Sequence, residues 1–425
     1  MNDSQFTARY LIETPLAPES VAEVMAGEQS CGTFARVTGE TEELRARARA
    51  TVLKVEQLEP LAQSSLPNAW LARQGHGQAR QWNRAHVELS FPIANVGANL
   101  PTLLATVAGN LYDLGEVSGM RLETLELPAV YRDQFQLPSM GVQGTRASIG
   151  AASGALVGTI IKPNVGLSAG QTAELVRQLC AAGVDFIKDD EVCANPAHAP
   201  LAERVPAVMQ VIREHRDRTG KHVMVAFNIT DETDAMRRHA DLVQAEQGSC
   251  VMASINWCGF SAMQSLRRHT PLAVHAHRNG YGAMSRHPAL GMGFQAYQSL
   301  WRLAGVDHVH VHGLQGKFAQ ADEEVLHSAQ DCQRRLSARA DDRVMPAFSS
   351  GQWAGTVAPT WAALRSEDLL FMSGGGILAH PGGPQAGVLS IRQAWTAMRE
   401  GVELEAFARH APELAQAMAF FGVRG

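Results

Sequence analysis

Residues 156–191 read LVGTIIKPNVGLSAGQTAELVRQLCAAGVDFIKDDE. An apolar run at 156–163 is followed by a stretch at 172–182 with apolar residues at three- and four-residue steps, then by a second apolar run at 184–191. The outer pieces have the length and composition of strands, and the middle one has the period of a helix packed along one face. Strand, helix and strand make one βα step and the start of the next. The second strand closes on Lys188-Asp189-Asp190-Glu191, an amine and three carboxylates where a hydrophobic run meets solvent. Residues two apart on a strand face the same way, so Lys188 and Asp190 point together while Glu191 begins the following loop. An oxygen-rich cluster of this kind suits a hard cation such as Mg2+, with the lysine close enough to be electrostatically coupled to it. Acidic strings are also common surface decoration, so the neighbourhood decides between the two.

The same unit recurs along the chain. Further β-rich runs at 223–230, 251–256, 272–278, 308–313, 344–351 and 369–376 bring the count to eight, and stretches at 201–216, 234–247 and 293–304 carry helical spacing. Eight β-then-α units predict an α/β fold, a (β/α)8 TIM barrel, whose active site is built at the C-terminal ends of the strands. Polar or glycine-rich residues stand at that end of nearly every unit: Lys162, the 188–191 cluster, Asn228, Asn256, His275, His277, Arg278, His310, His312, Ser349, Ser350, Gly351, Gly374, Gly375 and Gly376. Before the barrel, strands near 7–13 and 86–92 and helices near 18–27 and 100–108 predict a smaller α+β, ferredoxin-like domain. The boundary is expected at 137/138.

Composition narrows the class. With 425 residues and 45% hydrophobic content the chain can bury a large core in two domains. Its 37 basic and 42 acidic residues form no long blocks of one sign, which leaves no nucleic-acid footprint. No segment reaches the roughly 18 uncharged apolar residues that span a bilayer, and the N-terminus lacks a basic stretch before an apolar run, so a cytoplasmic protein is expected. Six cysteines are scattered without a CxxC pair, which reads as reduced, mostly buried thiols.

The segments Gly158-Thr159-Ile160-Ile161-Lys162-Pro163-Asn164-Val165-Gly166 and Asp185-Phe186-Ile187-Lys188-Asp189-Asp190-Glu191 closely resemble the first two barrel strands of the RuBisCO large chain. His275-Ala276-His277-Arg278, Asp307-His308-Val309-His310 with Gly316-Lys317, and Gly374-Gly375-Gly376 with His380-Pro381 continue the match in order. The N-terminal Glu28-Gln29-Ser30-Cys31-Gly32-Thr33-Phe34 and Gly109-Asn110 extend it over most of the chain. The resemblance implies a carbamate, formed from CO2 on Lys188, that binds Mg2+ together with Asp190 and Glu191. Three anions would then surround one divalent ion. It also implies catalytic roles for Lys162, Lys188, Lys317 and His277, with Lys162 moving protons at the substrate carbon skeleton. Gly374, Gly375, Gly376, Ser350, Gly351 and Thr33 match the first phosphate site, and Arg278 and His310 match groups around the second, with Ser349 beside them. Glu28, Thr33 and Asn110 match residues that reach the barrel mouth of a neighbouring subunit, which implies a homodimer or larger homo-oligomer with shared sites.

Departures from the pattern matter as much. Asn164 stands where carboxylating enzymes have a second lysine, Tyr281 replaces a histidine, and Phe34 replaces a tryptophan. The chain therefore resembles a RuBisCO-like protein, a branch in which the enolising apparatus serves other substrates, and not a bisphosphate carboxylase. Lys317 is retained, and in carboxylases the matching lysine orients the carboxyl group being formed, so a carboxylate-handling reaction is expected. Decarboxylation of a phosphorylated 3-oxo sugar acid, such as 3-oxo-isoapionate 4-phosphate to erythrulose phosphate and CO2, uses the same parts in reverse. The alternatives are an isomerase or enolase of a methylthio-ribulose or diketo-pentyl phosphate, and a degenerate sugar-phosphate binder. A zinc site among His275, His277, His310 and His312 is a weaker reading, because oxygen donors explain Asp190 and Glu191 better.

Overall fold

The computed structural model describes residues 3–32 and 37–422. Its strands in chain order are β1 (Gln5–Thr14), β2 (Thr51–Leu61), β3 (Trp82–Pro92), β4 (Gly119–Glu126), β5 (Leu156–Ile160), β6 (Phe186–Lys188), β7 (Met224–Asn228), β8 (Cys250–Ser254), β9 (Ala273–His277), β10 (Leu290–Met292), β11 (His308–His310), β12 (Met345–Phe348) and β13 (Leu370–Met372). The chain divides into two compact units. The first holds the residues up to Phe135 with Gly280–Leu303 and Ser337–Ala340; the second holds Gln136–Asn279, Ala304–Leu336 and the residues from Asp341 onward.

The first unit is built on a five-stranded sheet in the order β10-β4-β1-β3-β2. β1 runs antiparallel to both β3 and β4, β2 is antiparallel to β3, and β10 lies parallel to β4. With helices Pro18–Glu28 after β1 and Leu100–Ala108 after β3, the connectivity β-α-β-β-α-β is ferredoxin-like. The two strands expected from sequence, at 7–13 and 86–92, pair along their whole length, from Gln5 opposite Pro92 to Thr14 opposite Asn83. β2 escaped the sequence reading because it is an edge strand with no buried residue, carrying Lys54, Glu56 and Glu59 and so lacking an apolar stripe. Helix Phe294–Leu303, expected as a barrel helix, packs with this first unit.

In the second unit β5, β6, β7, β8, β9, β11, β12 and β13 close into a parallel barrel, with Leu370 of β13 opposite Leu156 of β5. All eight expected barrel strands are there, each shorter than its apolar run. Leu156, Phe186, Met224, Cys250, Met252, Ala273, Met345, Ala347 and Leu370 fill the interior. Alternation along a strand then decides what faces the mouth: two residues beyond Phe186 is Lys188, and two beyond Ala273 is His275, then His277. Among the described residues no helix is long and apolar enough to cross a membrane. All six cysteines are free thiols.

Candidate active site

β6 ends at Lys188, and the backbone beyond it turns so that consecutive carboxylates part company. Asp189 faces the helix Leu201–Thr219, where it accepts from Arg204 Nη2 at 3.1 Å and from the backbone N–H of Asn228 at 2.9 Å. Burial raises its pKa while Arg204 opposes the shift. Asp189 is thus an anchor for the strand end and not a third site carboxylate. Lys188, Asp189 and Asp190 are 3%, 3% and 1% exposed, so the cluster lies inside the barrel mouth and not at a solvent boundary as its composition suggested.

Lys188, Asp190 and Glu191 converge. The Lys188 ammonium donates to the Asp189 carbonyl at 2.9 Å and lies 3.5 Å from Glu191 Oε2. Burial pulls the Lys188 pKa below the usual ammonium range, with Glu191 and Asp190 resisting. Asp190 is held by its own main chain, accepting from Val192 N–H at Oδ1, while its carbonyl accepts from Asn228 Nδ2 at 2.9 Å. Its other oxygen faces Lys162, whose Nζ stands 2.8 Å away. Lys162 also donates to Asn164 Oδ1 at 2.7 Å. A neutral acceptor at 164 therefore orients Lys162, where a second lysine would repel it.

The fourth side of the site comes from β9 and β11. His277 Nε2 lies 3.4 Å from Glu191 Oε2, and its ring stands 4.4 Å from that of His310. His310 pairs with His275 at 2.8 Å and with Ser349 Oγ at 3.1 Å; His275 in turn meets His308 at 3.3 Å. Burial drives the pKa of His277 down to about 3, with Lys188 adding to the effect, and pushes His275 and His310 well below the ordinary imidazole value. These are neutral, hydrogen-bonded core histidines. Among the described residues no three His, Cys, Asp or Glu side chains are disposed to hold a metal, so the zinc reading has no support. For Mg2+, Asp190 and Glu191 could supply two anionic ligands, and a third would arise where the buried amine of Lys188 stands if CO2 converted it to a carbamate. An uncharged amine is the form that attacks CO2, and burial favours that form.

The loops after β11, β12 and β13 lie around this core. Gly351, at φ 81°, and Ser350, at φ 72°, bring the β12 loop against the β11 loop: a Cβ on Gly351 would stand 3.6 Å from Lys317 N, and one on Gly316 would stand 3.1 Å from Ser350 O. Gly374 caps a short helix, Gly375–Leu378, whose first N–H groups lack intrahelical acceptors. A Cβ on Gly376 would fall 2.5 Å from Ser373 Oγ, whereas one on Gly375 would meet open space. Arg278, 3% exposed, donates to Gln320 Oε1 at 2.7 Å, a partner that nothing in the sequence signalled. Lys317 is exposed, beside the ring of Phe318.

In the first unit Asn110 Nδ2 donates to Glu28 Oε1 at 3.3 Å, so two residues 82 apart in sequence come together. Thr33 and Phe34 lie outside the described residues. Tyr281, the other departure, is buried and its hydroxyl donates to the Met292 carbonyl at 3.0 Å.

Comparison with known proteins adds the family. The ribulose bisphosphate carboxylase large chain matches twice, its N-terminal domain over residues 2–131 and its catalytic domain over residues 141–421. The crystal structure of a rubisco-like protein from Burkholderia fungorum is 67% identical, with a TM-score of 0.93 over 98% of this chain and 100% of that one. A 3-oxo-isoapionate-4-phosphate transcarboxylase/hydrolase from Xanthobacter autotrophicus is 45% identical over 97% of this chain and 98% of its own length. A 3-oxo-isoapionate-4-phosphate decarboxylase from Rhizobium etli is 41% identical over 98% of both chains.

Proposed function

The chain belongs to the ribulose bisphosphate carboxylase large-chain family, in its RuBisCO-like branch, and we propose that it is a carboxy-lyase acting on a phosphorylated 3-oxo sugar acid. The substrate we propose is 3-oxo-isoapionate 4-phosphate, converted to erythrulose phosphate and CO2, in keeping with the Rhizobium etli relative, a 3-oxo-isoapionate-4-phosphate decarboxylase. One observation carries the reading: the amine of Lys162 lies 2.8 Å from the carboxylate of Asp190, beside the pair that the buried Lys188 makes with Glu191.

Mg2+ bound by Asp190, Glu191 and a Lys188 carbamate would supply a Lewis acid that polarises the substrate ketone and stabilises the enolate charge. The bond that breaks joins the carbon next to that ketone to the carboxyl carbon. Its electron pair stays on the former, and the carboxyl carbon leaves as CO2. Lys317 holds the departing carboxylate as a point charge. Lys162 gives a proton to the carbon left behind and regains one from solvent, which closes the balance. His277, whose Nε2 stands 3.4 Å from Glu191 Oε2, borders Glu191 as a neutral ring. The N–H groups of Gly374, Gly375 and Gly376, with Ser350 and Gly351, take the phosphate; barrels commonly bind phosphate after strands seven and eight. Arg278, His310 and Ser349 line the opposite end of the substrate. Glu28 and Asn110, with Thr33, would serve the barrel of a second copy, making a cytoplasmic homodimer the minimum unit.

The relative from Xanthobacter favours a second reading, in which the carboxyl group passes to another acceptor or the carbon skeleton is hydrolysed. Incubation with Mg2+, bicarbonate and a panel of 3-oxo acid phosphates and ketose phosphates separates these, with CO2 release, product identity and C–H exchange followed together. CO2 release without isomerisation is the expected result. Isomerisation alone would place the protein with the isomerases, and a carboxylated or hydrolysed product without CO2 would favour the second reading.

A further inference from the structure

Lys317 has a neighbourhood of its own. His312, two residues beyond β11, holds φ at 67°, a conformation that glycine adopts freely and a side chain adopts at a cost. Of the five non-glycine residues with positive φ among those described, three are His312, Gln315 and Ser350, all on the loops after β11 and β12. Such conformations persist where the surroundings over-determine them, and they cluster at working sites.

What the His312 ring gains is visible. It stands 4.7 Å from the ring of Phe318, tilted by 38°. The Lys317 ammonium in turn lies 5.4 Å from the centroid of Phe318. Phe318 is 53% exposed, so its ring contact with His312 lies on the open side of the loop. Burial, reinforced by Arg278, pushes His312 down to about 3, so it meets this cationic neighbourhood as a neutral ring. Its Nδ1 is buried without a hydrogen-bond partner, while the ring also shares a side-chain hydrogen bond with Gln320. A few residues on, Gln320 accepts from Arg278, which ties the other end of the loop to the end of β9.

We propose that His312 is a positioning residue for Lys317: its ring docks Phe318, and Phe318 sets where the ammonium of Lys317 stands before substrate arrives. The inference deepens the decarboxylase reading and rests on it for the role of Lys317, but the docking itself does not depend on that reading. His312→Gly removes the ring at a backbone conformation suited to glycine, and Phe318→Ala removes the other half. Trypsin cleavage after Lys317 measures the docking in the intact protein; both variants should be cut about fivefold faster than the parent as the loop opens more often. CO2 release from 3-oxo-isoapionate 4-phosphate should fall about tenfold in kcat with KM changed far less, since misplacing a clamp harms the reacting geometry before it harms binding. Phe318→Tyr should restore both readouts. In a Lys317→Ala background the two substitutions should cost nothing further, because the group they position is gone.

Unchanged cleavage at Lys317 in properly folded His312→Gly and Phe318→Ala proteins would overturn the proposal, as would losses that add in full to Lys317→Ala. If the parent releases no CO2, the decarboxylase reading fails while proteolysis still decides whether His312 holds the loop.

Discussion

Replacing Lys162 with methionine tests two roles of one amine. In the folded protein its Nζ lies 2.8 Å from Asp190 Oδ2 and 2.7 Å from Asn164 Oδ1, with the lysine side chain 39% exposed and the aspartate 1%. Methionine keeps most of the stem and removes the charge. A pair this open on one side is screened by water, so its net worth is nearer that of a surface ion pair, about 1 kcal/mol, than that of a buried one. Asp190 would be released from a competing cation, and Mg2+ should bind about fivefold more tightly, the equivalent of that 1 kcal/mol. Turnover should move the other way. Loss of a positioned general acid costs about 100- to 10,000-fold, so CO2 release should collapse while the metal site improves. Mg2+ titration by calorimetry and a coupled CO2 assay measure the two effects on the same preparation. CO2 release within tenfold of the parent would refute the proton-donor assignment, and weaker Mg2+ binding would refute the idea that Lys162 and the ion share Asp190.

Lys317→Ala should reduce CO2 release about 100-fold while solvent deuterium still enters erythrulose phosphate at a rate within a few-fold of the parent; equal loss of both would mean that Lys317 serves enolisation and not the carboxylate. Lys188→Met removes the amine on which a carbamate forms, and turnover should no longer respond to bicarbonate or to chelation of Mg2+; a variant that keeps both responses would rule out that ligand. Asp307→Ala probes the fold. Its oxygens accept from Met140, Gly141 and Val274 N–H at 2.6, 2.9 and 2.8 Å, and from Arg267 at 3.1 Å, with both charged partners buried. Stranding Arg267 should cost about 3–5 kcal/mol in urea unfolding; a loss under about 1 kcal/mol would mean that water reaches it. His308, paired with Thr145 Oγ1 at 2.8 Å, is lowered from 6.5 to about 4 by burial, with Asp307 opposing. The unfolded chain therefore takes up a proton first, and His308 contributes a loss of roughly 3 kcal/mol as pH falls from 6.5 towards 4, in addition to the losses from His275, His277, His310 and His312, with no further loss from this group below that. The decline should be shallower by about that amount in His308→Asn, and an unchanged pH profile would show that His308 does not contribute to it.

The eight strands were legible because parallel barrel strands are buried on both faces and so leave apolar runs, and the polar residue ending each run marked the mouth. Lys188, Asp190 and Glu191 were found as candidates by type and position on one such strand. Other parts were not legible. β2 left no stripe because it buries nothing, and helix Phe294–Leu303 carries a helical pattern that says nothing about which unit it joins.

Sequence by itself determined the order of the elements, the residues at each strand end and, through motif order, the family; these are local or one-dimensional properties. Tertiary structure decided which of three adjacent carboxylates face the site. Asp189 turns away because Arg204 and the Asn228 amide, 15 and 39 residues further on, satisfy it there. It also decided that Asn164 orients Lys162 and that His312 meets Phe318 across a turn. Such choices depend on buried charges and rings finding partners from other elements, and a linear pattern records the groups but not their distances.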